Sequence, residues 1–138
     1  SKYNELDTSF IINKLKSEKK NIIVPKISNN ELVHIAINDK TEFSINEYDI
    51  EEPNNGNSFI IENLDLIFIP LLAYDLEGHR VGYGMGYYDK FLKLTNKSSL
   101  KIGLSFFDPI NKIQDIDDND VKLDYCITPT QVHKFDHI

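Results

Sequence analysis

Glycines at positions 82, 84 and 86 alternate with Tyr83 and Met85 just ahead of a helix-compatible run, a spacing suited to holding an anion. Without Cβ atoms these glycines reach φ > 0 and let backbone N–H groups approach closely, and a helix starting near Tyr87 aims its positive dipole end at the same point. Arg80 adds a fixed positive charge with a bidentate donor fork. Tyr83, Tyr87 and Tyr88 offer flat faces for a ring, so a polyphosphate joined to an aromatic group is the implied ligand. The segment is not a Walker A loop, which ends in Gly-Lys-Ser/Thr. Nor is it the Gly-x-Gly-x-x-Gly of a dinucleotide fold, because its third glycine comes one residue early. The ordinary alternative is a tight turn whose tyrosines fill the core.

Asp89 falls in the first turn of the following helix, where a carboxylate is favourable against the macrodipole. The same group is a hard oxygen ligand of the kind Mg²⁺ takes beside nucleotide phosphates. A second carboxylate would come from Asp115, Asp117, Asp118 or Asp120, a stretch that otherwise reads as solvated surface. Spacing alone leaves both readings open. The histidines have no zinc-ligand spacing: His34 lies in an expected strand, His79 in a turn, and His133 and His137 in a terminal tail. Cys126 sits in an apolar run and reads as an inert buried thiol, and Ser105 lacks a nucleophile elbow, so serine or cysteine hydrolysis is disfavoured.

The elements that must position these groups follow from periodicity. Ile11, Ile12 and Leu15 mark an amphipathic helix from Asp7 or Thr8 to about Lys20, with Asp7 or Thr8 as N-cap and Lys19-Lys20 against the dipole. Asn21-Ile22-Ile23-Val24-Pro25, closed by its proline, and Leu32 to Ile37 read as strands, and residues 38–57 as an irregular polar connection. Leu64 to Pro70 is nearly continuous in apolar residues and reads as a central strand covered on both faces. Asp75-Leu76-Glu77-Gly78 fits a type I turn, Tyr87 to Leu94 a helix, and residues 101–107 and 123–128 two further strands. A mostly parallel sheet flanked by helices is the expected α/β architecture, with a mixed α+β sheet as the alternative.

A chain of 138 residues is the size of a single domain, 1–138. Its formal charge of −7 argues against a nucleic-acid partner, and 41% hydrophobic content against a disordered chain. No apolar run is long enough to span a membrane, and Ser1-Lys2-Tyr3-Asn4 does not open a secretory signal. A lone cysteine, which can form no internal disulfide, favours a reducing compartment, so the cytoplasm is expected; a monomer is expected as well.

The run from Leu71 through Asp75, Gly78, Arg80, Gly82, Gly84 and Gly86 to Asp89 resembles the signature of the 5-formyltetrahydrofolate cyclo-ligase family, also called methenyltetrahydrofolate synthetases. The likeness extends to Glu5-Leu6-Asp7-Thr8, to Val24-Pro25 and to Asp120-Val121-Lys122-Leu123-Asp124, in order along nearly the whole chain. It implies a three-layer α/β fold and an ATP- and Mg²⁺-dependent cyclisation of 5-formyltetrahydrofolate to 5,10-methenyltetrahydrofolate, with ADP and phosphate released. In that reaction the formyl oxygen is phosphorylated to an iminium phosphate, with no protein nucleophile. By the same resemblance Arg80, Val81, Gly82, Tyr83, Gly84, Met85, Gly86, Tyr87 and Tyr88 would wrap ATP. Glu5, Tyr83 and Tyr87 would contact the folate, and Asp89 and Asp120 would hold Mg²⁺.

Two departures stand out. Members of the family begin with a basic helix and a first strand ahead of the Glu5 segment, which this sequence lacks, so a fragment of a longer enzyme is expected. Met85 stands where the family commonly carries glycine or a basic residue. The rival readings are a catalytically impaired homologue that binds folate or nucleotide without turnover, and a nucleotide-binding α/β domain with another substrate.

Overall fold

The computed structural model describes residues 7–47, 49–81, 87–114 and 121–135, with the backbone alone at 87–89. It is an α/β protein with two compact units, Asp7–Ile61 and Glu62–Ile138.

The first unit opens with α1 (Ser9–Ser17). Thr8 occupies the N-cap without a side-chain bond, and Asp7 Oδ1 instead accepts from the Ser9 N–H at 2.9 Å. The helix stops short of Lys20. Lys19 turns left-handed at φ 60°, its N–H donates to Lys16 O at 3.0 Å, and the Lys20 N–H donates to Leu15 O at 2.9 Å. That is a Schellman closure with lysine where glycine is usual, so Lys19 and Lys20 end the helix and Lys14 and Lys16 face its dipole.

Next come β1 (Ile22–Ser28) and β2 (Glu31–Ile37), an antiparallel hairpin paired from Ile22↔Ile37 to Ser28↔Glu31. Asn29 and Asn30, at φ 52° and 61°, form its two-residue turn, the conformation that matches strand twist and that asparagine tolerates. Pro25 does not close the first strand. It sits inside β1 opposite His34, and among the described residues β1 is an edge strand, where a missing N–H is tolerated.

The expected irregular stretch 38–57 also carries strands: β3 (Phe43–Ile45) pairs antiparallel with β4 (Glu51–Pro53), and β5 (Asn57–Ser58) joins β2. These pairs were hidden because polar side chains support them. Asn46 Oδ1 accepts from the Ile50 N–H at 3.1 Å, and Lys26 Nζ donates to the Pro53 and Asn54 carbonyls at 2.9 and 3.0 Å.

The second unit holds β6 (Leu66–Pro70), β7 (Ala73–Tyr74), β8 (Arg80–Val81), α2 (Tyr87–Leu94), β9 (Leu100–Leu104), β10 (Tyr125–Ile127) and β11 (Val132–Lys134). Its main sheet runs β11-β10-β9-β6, with β6, β9 and β10 parallel and β11 antiparallel. The parallel expectation therefore describes this core, whereas the first unit is antiparallel. Among the described residues β6 lies at the sheet edge rather than its centre, and β9, buried from Lys101 to Leu104, is interior. His133 lies in β11 opposite Cys126 rather than in a tail.

Gly103 in β9 is required by packing: a Cβ there would stand 2.5 Å from Leu71 Cδ1 and 3.0 Å from Leu123 Cδ1. No described helix is long and apolar enough to cross a membrane.

Candidate active site

Parallel strands deliver the chain to one end of the sheet, where open α/β sheets bind ligands. Pro70 of β6 and Ile127 of β10 both pair with Leu104 of β9, and beyond them the Leu71 N–H donates to Leu104 O at 3.1 Å. The β7–β8 hairpin follows, pairing Ala73 with Val81 and Tyr74 with Arg80. The Leu72 N–H reaches Val81 O at 3.0 Å, so the chain enters the glycine-rich segment beside the carboxyl end of β6.

The hairpin's reversal is the expected turn: the Gly78 N–H donates to Asp75 O at 3.2 Å, and Gly78 takes φ 90°, a conformation glycine adopts without strain. Sequence reasoning missed the role of Asp75 itself. Its side chain is fully buried; Oδ1 accepts from the backbone N–H groups of Glu77 (2.9 Å) and His79 (3.0 Å). Oδ2 lies 3.0 Å from His79 Nδ1 and accepts from the Ile113 N–H at 3.1 Å. Burial pushes such a carboxyl upward, but the bonds from Ile113, His79 and Glu77 outweigh it and hold Asp75 below its ordinary range.

Asp75, Glu77 and His79 bring ligand-type atoms within 4.8 Å of one another. They do not fit Mg²⁺, because both Asp75 oxygens already accept N–H donors and a histidine nitrogen is a poor partner for that ion. The cluster is a lock on the turn. Its sequence signal was an Asp four residues ahead of a His inside a turn, a pattern too common to single out.

Of the residues expected to bind nucleotide, Arg80 and Val81 form β8, and an Arg80 Nη1–H donates to the Val121 carbonyl. Leu123 is fully buried and its N–H donates to Gly78 O at 2.9 Å. The strand leading into the glycine-rich segment is thus tied to the residue that follows Asp120. Gly82, Tyr83, Gly84, Met85, Gly86, Glu5, Asp115, Asp117, Asp118 and Asp120 lie outside the described residues, as do the side chains of Tyr87, Tyr88 and Asp89. The backbone puts residues 87–89 in the first turn of α2, as expected.

The far end of α2 is closed by Thr95 Oγ1, which donates to Leu92 O at 2.8 Å, and the chain just beyond it is held by the buried Lys101 of β9, whose Nζ donates to Asn96 O at 2.9 Å. Burial lowers the Lys101 ammonium from its ordinary value, with Asp124 opposing. Burial likewise pushes the Cys126 thiol up to about 11 and raises the Tyr74 hydroxyl above its ordinary range, so neither is an anion at neutral pH.

Residues 1–129 match the model of the 5-formyltetrahydrofolate cyclo-ligase family. A 5-formyltetrahydrofolate cyclo-ligase of Mycoplasma genitalium is 48% identical over 52 residues, 38% of this chain and 32% of that protein. A probable 5-formyltetrahydrofolate cyclo-ligase of Schizosaccharomyces pombe is 30% identical over 144 residues, covering 93% of this chain and 71% of its own length. The NMR structure of Aquifex aeolicus 5,10-methenyltetrahydrofolate synthetase superposes with a TM-score of 0.78 at 30% identity, covering 96% of this chain and 66% of that one. The chain thus spans about a third of the first relative and about two thirds of the Aquifex protein. The match takes in both the tied hairpin and the chain it is tied to, and on that evidence the protein belongs to the 5-formyltetrahydrofolate cyclo-ligase family.

Proposed function

We propose that the protein cyclises 5-formyltetrahydrofolate to 5,10-methenyltetrahydrofolate at the expense of ATP, within a single domain over residues 1–138 of the three-layer α/β type. The observation that carries this reading is the Arg80–Val121 bond, which joins the hairpin entering the glycine-rich segment to the chain leaving the acidic one. Family membership supplies the reaction class.

In this reading the formyl oxygen attacks the γ-phosphorus and the bond to the ADP oxygen breaks. The other bridging nitrogen of the folate attacks the resulting iminium phosphate at carbon, phosphate leaves with the C–O electrons, and that nitrogen loses its proton. No side chain is a nucleophile, so the protein's task is positioning and charge neutralisation. Backbone N–H groups from Gly82 to Gly86 and the head of α2 cradle the phosphates, with Arg80, Val81, Tyr87 and Tyr88 beside them, and Glu5, Tyr83 and Tyr87 border the folate. Asp89 and Asp120 fit Mg²⁺ by donor chemistry, and the ion would neutralise the β- and γ-phosphates. The buried Cys126 thiol is in keeping with a reducing cytoplasm, where we place the enzyme as a monomer.

The test is methenyl absorbance on mixing protein, 5-formyltetrahydrofolate, ATP and Mg²⁺. The expected result is turnover that requires all components and falls at least about 100-fold in Asp89→Ala. Binding of both ligands without product would instead identify a non-catalytic homologue.

A further inference from the structure

The described residues on both sides of the acidic segment 115–120 are fastened to the same hairpin. Ahead of it, the Ile113 N–H donates to Asp75 Oδ2 at 3.1 Å. After it, the Val121 carbonyl accepts from Arg80 and the Leu123 N–H donates to Gly78 O at 2.9 Å. The two Asp75 oxygens divide the work: Oδ1 serves the turn through the Glu77 and His79 backbone, and Oδ2 reaches out to the His79 ring and Ile113.

We propose that Asp75 is a positioning residue of the nucleotide site. Its carboxylate fixes Ile113, in the described chain that leads into the acidic segment, against the hairpin that leads into residues 82–86, and so sets the affinity for Mg–ATP. The proposal rests on the nucleotide reading above and adds to it a residue that touches no ligand.

Hydrogen-bond chemistry separates this role from general support of the fold. Asp75→Asn keeps one oxygen and replaces the other with an amide donor. Facing the Glu77 and His79 backbone, that donor would oppose two N–H groups; in the place of Oδ2 it opposes only the Ile113 N–H, because the His79 ring can offer Nδ1 as an acceptor in its other tautomer. The substitution therefore keeps the turn and releases Ile113.

The experiment titrates the full chain calorimetrically with Mg–ATP and, separately, with 5-formyltetrahydrofolate. The variants are Asp75→Asn and, as a destabilised control, Ile67→Ala, whose buried side chain lies in β6 at a position paired with Lys101 of β9. The expected result is an Mg–ATP Kd raised about tenfold in Asp75→Asn, with folate affinity within about twofold and neither affinity moved in Ile67→Ala. Unchanged Mg–ATP affinity in Asp75→Asn overturns the proposal, as does equal weakening of both ligands or of the control.

Should Asp75→Asn fail to fold, the wild-type chain gives a second readout. If the Asp75–Ile113 bond favours Mg–ATP, then by linkage Mg–ATP favours the bond, and exchange of the Ile113 amide slows about tenfold on binding. Exchange unaffected by bound Mg–ATP overturns the proposal. Wild-type protein that does not bind Mg–ATP overturns the nucleotide reading and this role together, whereas normal wild-type binding with an indifferent Asp75 overturns the role alone.

Discussion

Two hairpins in this protein reverse the chain by opposite means. The β1–β2 hairpin pairs seven residues on each side around Asn29-Asn30, and its ladder needs nothing at the turn beyond two residues that accept positive φ. Among the described residues the β7–β8 hairpin has two paired positions, and a buried carboxylate inside its turn organises it. A long ladder is stable and generic. A short one held by a side chain can be aimed, and this is the hairpin that leads into the glycine-rich segment.

Removing each device should separate the two. Asp75→Ala strands the buried His79 and Ile113 N–H groups and frees that of the exposed Glu77, and breaking such a charged cluster costs about 3–5 kcal/mol, read from urea unfolding of the whole chain. The same carboxylate predicts an acid limb. Its folded pKa is below its ordinary 3.8, so its contribution is complete above that value and is lost as pH falls from there through the lower folded value. Unfolding midpoints followed from pH 6 to about pH 2 should show this loss in wild type and a flatter limb in Asp75→Asn.

Gly103→Ala tests the floor beneath the second hairpin. A methyl 2.5 Å from Leu71 Cδ1 forces the residue just after β6 to move, and overpacking of this kind costs about 1–3 kcal/mol by thermal unfolding. The smallest effect belongs to the self-sufficient hairpin. Asn30→Ala, at φ 61°, should cost about 1 kcal/mol, whereas Asn30→Gly should be neutral or stabilising by a few tenths of a kcal/mol. An Asn30→Ala loss as large as that of Asp75→Ala would erase the distinction.

The same contrast explains what could be seen in the sequence. Ile67, Ile69, Ile102 and Leu104 announced parallel strands because they are apolar and buried, and residues 87–94 announced α2 as a helix-compatible run. The glycine-rich segment and its family likeness were visible because unusual composition is a local property. What escaped was stabilised by polar groups rather than apolar ones: β3 and β4 by Asn46 inside their own turn and by the distant Lys26 of β1, and the second hairpin by Asp75, whose partner Ile113 lies 38 residues away. Among the described residues β6 stands at the edge of its sheet rather than in the expected centre, for a related reason. An apolar run reports burial, and the order of strands depends on pairings such as Phe68↔Ile102 that no single segment encodes.

The central claim is that the glycine-rich segment receives the phosphates of Mg–ATP, and amide NMR on the isotopically labelled full chain tests it most directly. Titration with Mg–ATP should shift the Gly82, Gly84 and Gly86 amides saturably, together with Arg80 and Val121, while the Asn29 and Asn30 amides of the other hairpin stay in place. Glycine amides that do not move, in a protein whose spectrum is otherwise folded and whose folate-induced shifts are intact, would contradict the account.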